Sequence, residues 1–234
     1  MDFIICQDML YKAKQAGDAL FYQESEAFSG VNKIAAKVML DVERVLSVTP
    51  LATNDKTKLA RHAVIYGTVG HSPILDELND KKLIDLSVIK GKREVYLFQV
   101  IDNPFDGVDK ALVIAGSDKR GTIYGLFHLS ERMGVSPLVD WCDVKPRHKT
   151  EVRLDGNLKV VSKEPSVRFR GFFINDEWPA FGNWTMKNFG GFNAEMYDHV
   201  FELLLRLKGN YLWPAMWSSR FSDDGPGLAS HELA

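Results

Sequence analysis

Along the first 150 residues, short apolar runs of strand type alternate with stretches of helix-like pattern. Phe3–Cys6 and Ala19–Tyr22 are short apolar runs of strand type. Residues 31–46 place Val31, Ile34, Ala35, Val38, Val42, Val45 and Leu46 at helical spacing, with Lys33, Lys37, Asp41 and Glu43 mainly between them. Residues 62–69 (HAVIYGTV) are β-branched and close at Gly70, which predicts a strand. Residues 72–78 predict a short helix with Ser72 as N-cap and Pro73 in its first position. Residues 94–101 (EVYLFQVI) are the strongest strand signal, ending at the turn Asp102-Asn103-Pro104. A short buried-type strand follows at 111–115, then a helix over 119–133 closed by Gly134. Strands separated by helices predict a small sheet with helices packed on it.

The pattern changes after residue 145. The stretch KPRHKTEVRLDGNLKVVSKEPS carries two prolines and many charges, which reads as a domain connection with a β-hairpin around Asp155-Gly156-Asn157. The boundary is expected near residue 160. Beyond it, residues 167–174 predict a buried strand that stops at Asn175-Asp176-Glu177. An aromatic loop (Trp178, Phe181, Trp184) leads to a helix capped by Asn193 and ended by Gly209. Its apolar stripe is Met196, Val200, Leu203, Leu204 and Leu207, a packing surface. A second strand over 211–216 ends in aromatics, and Pro214 marks its end rather than its middle. This is a strand–loop–helix–strand unit with its polar and aromatic residues gathered where the strands finish. In a parallel α/β barrel that is where catalytic groups sit.

Composition narrows the class without choosing a function. The 234 residues are 45% apolar and 26% charged, with net charge −2. Without a basic stripe or a long apolar run, the expectation is a chain that engages neither nucleic acid nor membrane. Cys6 and Cys142 are too few for a disulfide framework or a structural zinc site, and two buried free thiols are expected. The first residues lack the basic start and cleavage site of a signal peptide, so a cytoplasmic location is expected, with secretion or a periplasmic location following if a leader is missing. The segment AGSDKRGTIYG at 115–125 has a strand–glycine–helix look but matches neither phosphate-binding glycine pattern. Gly116 is expected to make the turn, Ser117 or Asp118 to cap the helix, and Gly121 and Gly125 to allow close packing.

Candidate chemistry concentrates at the end of the 167–174 strand. Adjacent strand residues face opposite ways, so Asp176 and Glu177 do not form an acid–base pair with each other. One faces the pocket and the other anchors a loop or binds hydroxyls; equally, either caps the turn before Pro179. Tryptophans 178, 184, 213 and 217 fall within 40 residues. They read either as core or as platforms for the C–H faces of sugar rings, with carboxylates and amides taking the hydroxyls. Asp223 and Asp224 are solvated or line the same rim.

Long phrases of the chain resemble glycoside hydrolase family 115, the xylan α-glucuronidases. These are YGTVGHSPILDEL, ALVIAGSDKRGTIYGLFHLSERMGVSP, RGFFINDEWP, FGGFN, FELLLRLKGNYLWPAMW and FSDDGPGLAS. The resemblance implies an α/β fold: an N-terminal domain like the second domain of β-hexosaminidases over 1–160, then the first strands of a (β/α)8 barrel over 161–234. It implies removal of glucuronic acid or its 4-O-methyl ether from glucuronoxylan, with inversion and without a cofactor or metal, and leaves room for a homodimer of the full-length enzyme. By the resemblance, Asn175 and Asp176 fall on active-site positions and Trp213 or Trp217 on a pocket-lining one. Asp176 is the first choice for the catalytic group, as acid, base or positioning group, with Glu177 second, and Asn175, Glu177, Trp213 and Trp217 are taken as substrate-binding. Residues 139–144 (VDWCDV) depart from the family's more aromatic phrase. A complete barrel takes about 250 residues, so residues 167–234 have room for only two strand–helix units, and an inactive N-terminal piece is expected. Non-catalytic carbohydrate-binding and purely structural α/β domains are the readings from other classes.

Overall fold

The computed structural model describes all of residues 1–234. In order, the chain forms β1 (Phe3–Cys6), α1 (Gln7–Ala16), β2 (Ala19–Tyr22), α2 (Ser29–Leu46), β3 (Ala52–Thr53), β4 (Leu59–Thr68), α3 (Pro73–Asp80), β5 (Tyr96–Phe105), β6 (Val108–Gly116), α4 (Lys119–Met133), β7 (Glu151–Leu154), β8 (Lys159–Val161), β9 (Gly171–Phe173), α5 (Ala180–Phe189), α6 (Ala194–Arg206), β10 (Tyr211–Trp213) and α7 (Ala229–Leu233). They group into two compact units. The first comprises residues 1–139 and 143–166, the second residues 140–142 and 167–234.

The first unit is built on a six-stranded sheet in the order β3-β2-β4-β6-β5-β8. The strands β3, β2, β4 and β6 run parallel, whereas β5 and β8 are antiparallel to their neighbours. Both β4 and β6 are almost wholly buried, as parallel strands covered on two faces must be. Ile65, Leu97 and Val113 form one core with Leu75 and Leu78 of α3. The helix α4 lies on the opposite face, where Gly125 rests against Ile114 and Tyr96. A Cβ at Gly121 would collide with the Val95 carbonyl, so glycine sets how closely α4 approaches the sheet. Asp118 caps α4 by accepting from Gly121 N–H at 2.7 Å. Between α2 and α4, the buried Asp41 carboxylate accepts from Ser130 Oγ at 2.7 Å and from Arg44 at 2.9 Å.

Several local expectations change. Asp102-Asn103-Pro104 does not end β5; the strand continues through a register shift to Phe105, and the turn falls at Asp106-Gly107. Asp155-Gly156-Asn157 does turn, with Leu158 N–H bonded to Asp155 O at 3.0 Å, but no hairpin forms. Its arms join different sheets, β7 pairing with β1 and β8 with β5. Ser72 stands at the N-cap of α3 without a capping bond, and its hydroxyl donates to Glu24. The cysteines are free but not buried: Cys6 is half-buried and Cys142 exposed. No helix is long and apolar enough to cross a membrane.

The second unit has a two-stranded parallel sheet, β9 beside β10, with Phe173 opposite Trp213. Its core gathers Met196, Tyr197 and Val200 of α6 against Phe172, Leu212, Phe181, Trp184 and Trp141. The strand expected over 167–174 is only three residues long, since pairing with one neighbour holds just that stretch. Phe181 and Trp184, expected in a loop, lie on the helix α5. The α6 stripe is also shifted. Leu207 is exposed, while Glu202 and Arg206 are buried and bonded to each other at 2.9 Å.

Candidate functional site

Because β9 and β10 are parallel and in register, the segments leaving them emerge side by side. Ile174 N–H extends the pairing to Trp213 O at 2.9 Å. Asn175-Asp176-Glu177 therefore comes to lie beside the segment that carries Trp217, Ser218 and Ser219.

Asp176 turns inward and has only 3% of its surface exposed. Its Oδ2 accepts from Ser219 N–H at 2.7 Å and from the Ser218 hydroxyl at 2.9 Å, as well as from Ser218 N–H. Its Oδ1 accepts from Trp217 N–H at 3.2 Å. Burial works to raise its pKa, but the bonds from Ser219 and Ser218 outweigh it and hold the carboxyl below the usual carboxylate range. The cover over Asp176 includes the very loop it binds. A carboxylate held ionised by so many donors is a poor general acid, and its Oδ2 is committed to the loop. Of the roles the sequence left open for Asp176 (acid, base or positioning group), the bonds seen here are those of an anchor between the two strand ends.

Glu177 points the other way and is exposed; its Oε1 accepts from Asn175 Nδ2 at 2.7 Å. Asn175 in turn accepts from Asp176 N–H at 3.0 Å through its Oδ1. The amide and the carboxylate are thereby presented together at the strand end. Trp213 is 51% exposed and Trp217 75% exposed. The indole N–H of Trp213 donates to Met216 Sδ at 3.0 Å, and its ring meets Phe173 edge-on at 5.6 Å between centroids. Trp178 is also exposed, whereas Trp184 is packed, stacked on Trp141 at 5.1 Å and on Phe181 at 5.5 Å. The tryptophans of the sequence cluster therefore divide: Trp184 belongs to the core, and Trp178, Trp213 and Trp217 offer open aromatic surface. Asp224 accepts from Arg220 N–H and Asp223 from Ser222 Oγ, so both stabilise their own turn.

Sequence reasoning missed Ser218 and Ser219, which donate to Asp176 Oδ2, and Trp141, which joins this unit from far back in the chain. Nothing in the serines marks them; the departure at 139–144 was the available sign for Trp141. Chemically, the strand ends offer open aromatic faces, an amide and an exposed carboxylate, a set suited to a polyhydroxylated ring. No group of three or more His, Cys, Asp or Glu side chains is disposed to hold a metal ion.

The family model of glycosyl hydrolase family 115 matches residues 162–234. These residues belong to glycosyl hydrolase family 115. A solved family 115 enzyme, BtGH115A, described as a 4-O-methyl-α-glucuronidase with specificity for decorated arabinogalactans, matches the whole chain with a TM-score of 0.79 and 30% identity. The chain spans 28% of that enzyme's length. A second solved structure, CpGH84D, overlaps 92% of this chain and 36% of its own at 14% identity and a TM-score of 0.46, too distant to bear on fold or function. No curated protein sequence matches the chain. The family 115 segment begins just ahead of β9 and takes in the Asp176 anchor and the exposed tryptophans. The mixed α/β architecture of the whole chain is that of part of a family 115 enzyme.

Proposed function

We propose that residues 161–234 open the (β/α)8 catalytic barrel of an inverting glycoside hydrolase that removes glucuronic acid, or its 4-O-methyl ether, from glucuronoxylan. Residues 1–160 act as the N-terminal α/β domain. The observation that carries this reading is the β9–β10 pair: parallel, in register, with Phe172 and Leu212 packed toward α6, and with Phe173, Tyr211 and Trp213 about half exposed on the other side. A strand pair covered by helix on one face and lined by open aromatics on the other is what a barrel wall presents before its neighbours are added. The exposed groups at the strand ends then face the substrate: Trp213 and Trp217 against the sugar rings, Asn175 and Glu177 toward the hydroxyls. Asp176 contributes by fixing the loop that carries Trp217, and Glu177 is the carboxylate left free to act. Inversion needs a general acid and a general base about 6.5–9.5 Å apart, so the partner of this carboxylate comes from a strand outside residues 1–234. The likeness to an enzyme described as acting on decorated arabinogalactans favours an arabinogalactan as the second candidate polymer.

The test is uronic acid release by a form of this protein extended to the length of its solved relative, with the anomer of the first product followed by NMR. Release from glucuronoxylan or a decorated arabinogalactan with inversion, lost in Glu177→Gln, is expected, and residues 1–234 alone should be inactive. A retained anomer, or full activity in Glu177→Gln, would remove the mechanism; no release from either polymer would remove the function.

A further inference from the structure

The first unit carries a polar crevice that the proposed hydrolysis does not use. It opens at the carboxyl ends of β2 and β3, has a volume of about 370 Å³, and is lined by Glu24, Ser25, Asn32, Thr53 and Asn54 among others. Its place in the topology is significant. The chain leaves β2 through α2 toward β3 on one side, and leaves β4 through α3 toward β5 and β6 on the other. The connections part between β2 and β4, and the crevice lies on the β3 side of β2, at the carboxyl end of the sheet where open α/β folds bind their ligands but one strand from the parting itself. The volume is at the lower end of the range for small-molecule sites, about 300–1,000 Å³.

Two side chains there are held in fixed orientations. Glu24 is 3% exposed, and the two bonds to its carboxylate, from Ser72 Oγ at 3.2 Å and Ile74 N–H at 3.4 Å, both fall on Oε2. The other oxygen is left as an acceptor. Asn32 Oδ1 accepts from the hydroxyl of Tyr66 at 3.2 Å. Tyr66 is buried, and burial pushes its pKa well above that of an ordinary tyrosine, so it stays protonated and donating. The amide orientation of Asn32 is thereby set, with Nδ2 as its free donor. The crevice so presents a fixed acceptor and a fixed donor among further amides and hydroxyls, and no lysine or arginine lines it.

We infer that this crevice binds a neutral sugar residue of a glycan, with Glu24 accepting from one hydroxyl and Asn32 Nδ2 donating to a neighbouring one. Each sugar hydroxyl both gives and takes a hydrogen bond, so a vicinal pair matches a donor beside an acceptor. A uronate is disfavoured, because its carboxylate would meet Glu24 with no cation to offset the repulsion. The crevice belongs to the first unit, and its existence does not depend on the hydrolase reading.

The experiment is a titration of residues 1–234 with xylobiose, followed by ¹H–¹⁵N NMR, with glucuronate titrated separately. Saturable shifts are expected at the amides of Ser25, Thr53 and Asn54 with xylobiose and none there with glucuronate. Asn32→Ala should weaken the binding about tenfold or more while the thermal midpoint stays near wild type, and Trp217→Ala should leave it unchanged. Glu24→Gln gives a second variant that keeps the crevice's shape. No saturable shift at those amides, binding unaffected by both crevice variants, or shifts abolished by Trp217→Ala instead would each overturn the inference. None of these outcomes bears on uronic acid release, so the two proposals fail separately.

Discussion

Asp176 accepts the backbone N–H of Ser219 at 2.7 Å, joining the residue that follows β9 to the loop that follows β10 across 43 positions of sequence. With the bonds from Ser218 and Trp217, it makes the loop's position depend on one carboxylate. Asp176→Ala should therefore release the loop. Water reaches the freed donors, so the stability cost should lie at the low end of the range for unsatisfied groups, about 1–2 kcal/mol. A urea melt and the tryptophan emission spectrum check both effects. The acid limb should show the same anchor. A carboxyl whose folded pKa is depressed stabilises the fold above its unfolded value, about 3.9, and loses that contribution as pH falls through the folded value. Asp176→Asn should flatten the acid dependence of the loop's tryptophan signal; an unchanged profile would mean the carboxylate does not hold the loop.

Gly121 sets the spacing of α4 on the sheet. Gly121→Ala puts a methyl group into the Val95 carbonyl, a backbone atom that cannot swing aside, and should cost about 2–3 kcal/mol as overpacking. Gly30 in α2 has nothing within 4 Å of an added Cβ, so Gly30→Ala should be neutral or stabilising by up to about 1 kcal/mol. Urea midpoints of the two variants should move in opposite directions, or at least differ by more than about 2 kcal/mol when converted to free energy.

The pair Glu202–Arg206 sits almost wholly inside the second unit, one helical turn apart on α6. Breaking it from one side takes from a buried charge its partner one helical turn away. Glu202→Gln or Arg206→Met should each cost about 3–5 kcal/mol, while Glu202→Leu combined with Arg206→Met should recover most of the loss. A double-mutant cycle from denaturant melts measures the coupling; single losses that simply add would show that the pair is not a unit.

How far the sequence reveals this molecule depends on the range of the forces involved. The elements of the first unit were legible because α2 buries one face, which writes a period of three to four, while β4 and β6 are buried on both faces and read as continuous apolar, β-branched runs. The N-cap at Asp118 and the left-handed stop at Gly134 are local and equally visible. The helix α5 was not, since its aromatic residues also suit a loop, and α1 carries only one buried residue, Leu10. The shift at the end of α6, which buries Glu202 and Arg206 beside Leu204 and exposes Leu207, is a tertiary override that no helical stripe announces. At the site, Asn175, Asp176, Glu177 and the tryptophans were found from their position after an apolar run. What each does was hidden, because the Asp176 role is set by Ser218 and Ser219, whose pairing with it depends on the register of β9 with β10. Long-range register is where single-sequence reading stops.

The buried tyrosines set the alkaline limit. Burial pushes Tyr96 and Tyr197 up to about 12, from an unfolded value of about 10. A phenol whose folded pKa is raised favours the fold while neutral. That contribution is intact below about pH 10 and disappears as pH rises toward about 12, because the unfolded chain ionises first. Denaturant midpoints should therefore fall over that window, and Tyr197→Phe should remove part of the fall. If Tyr197→Phe left the alkaline slope unchanged, the ionisation that destabilises the protein would lie elsewhere, with Tyr96 the next residue to replace.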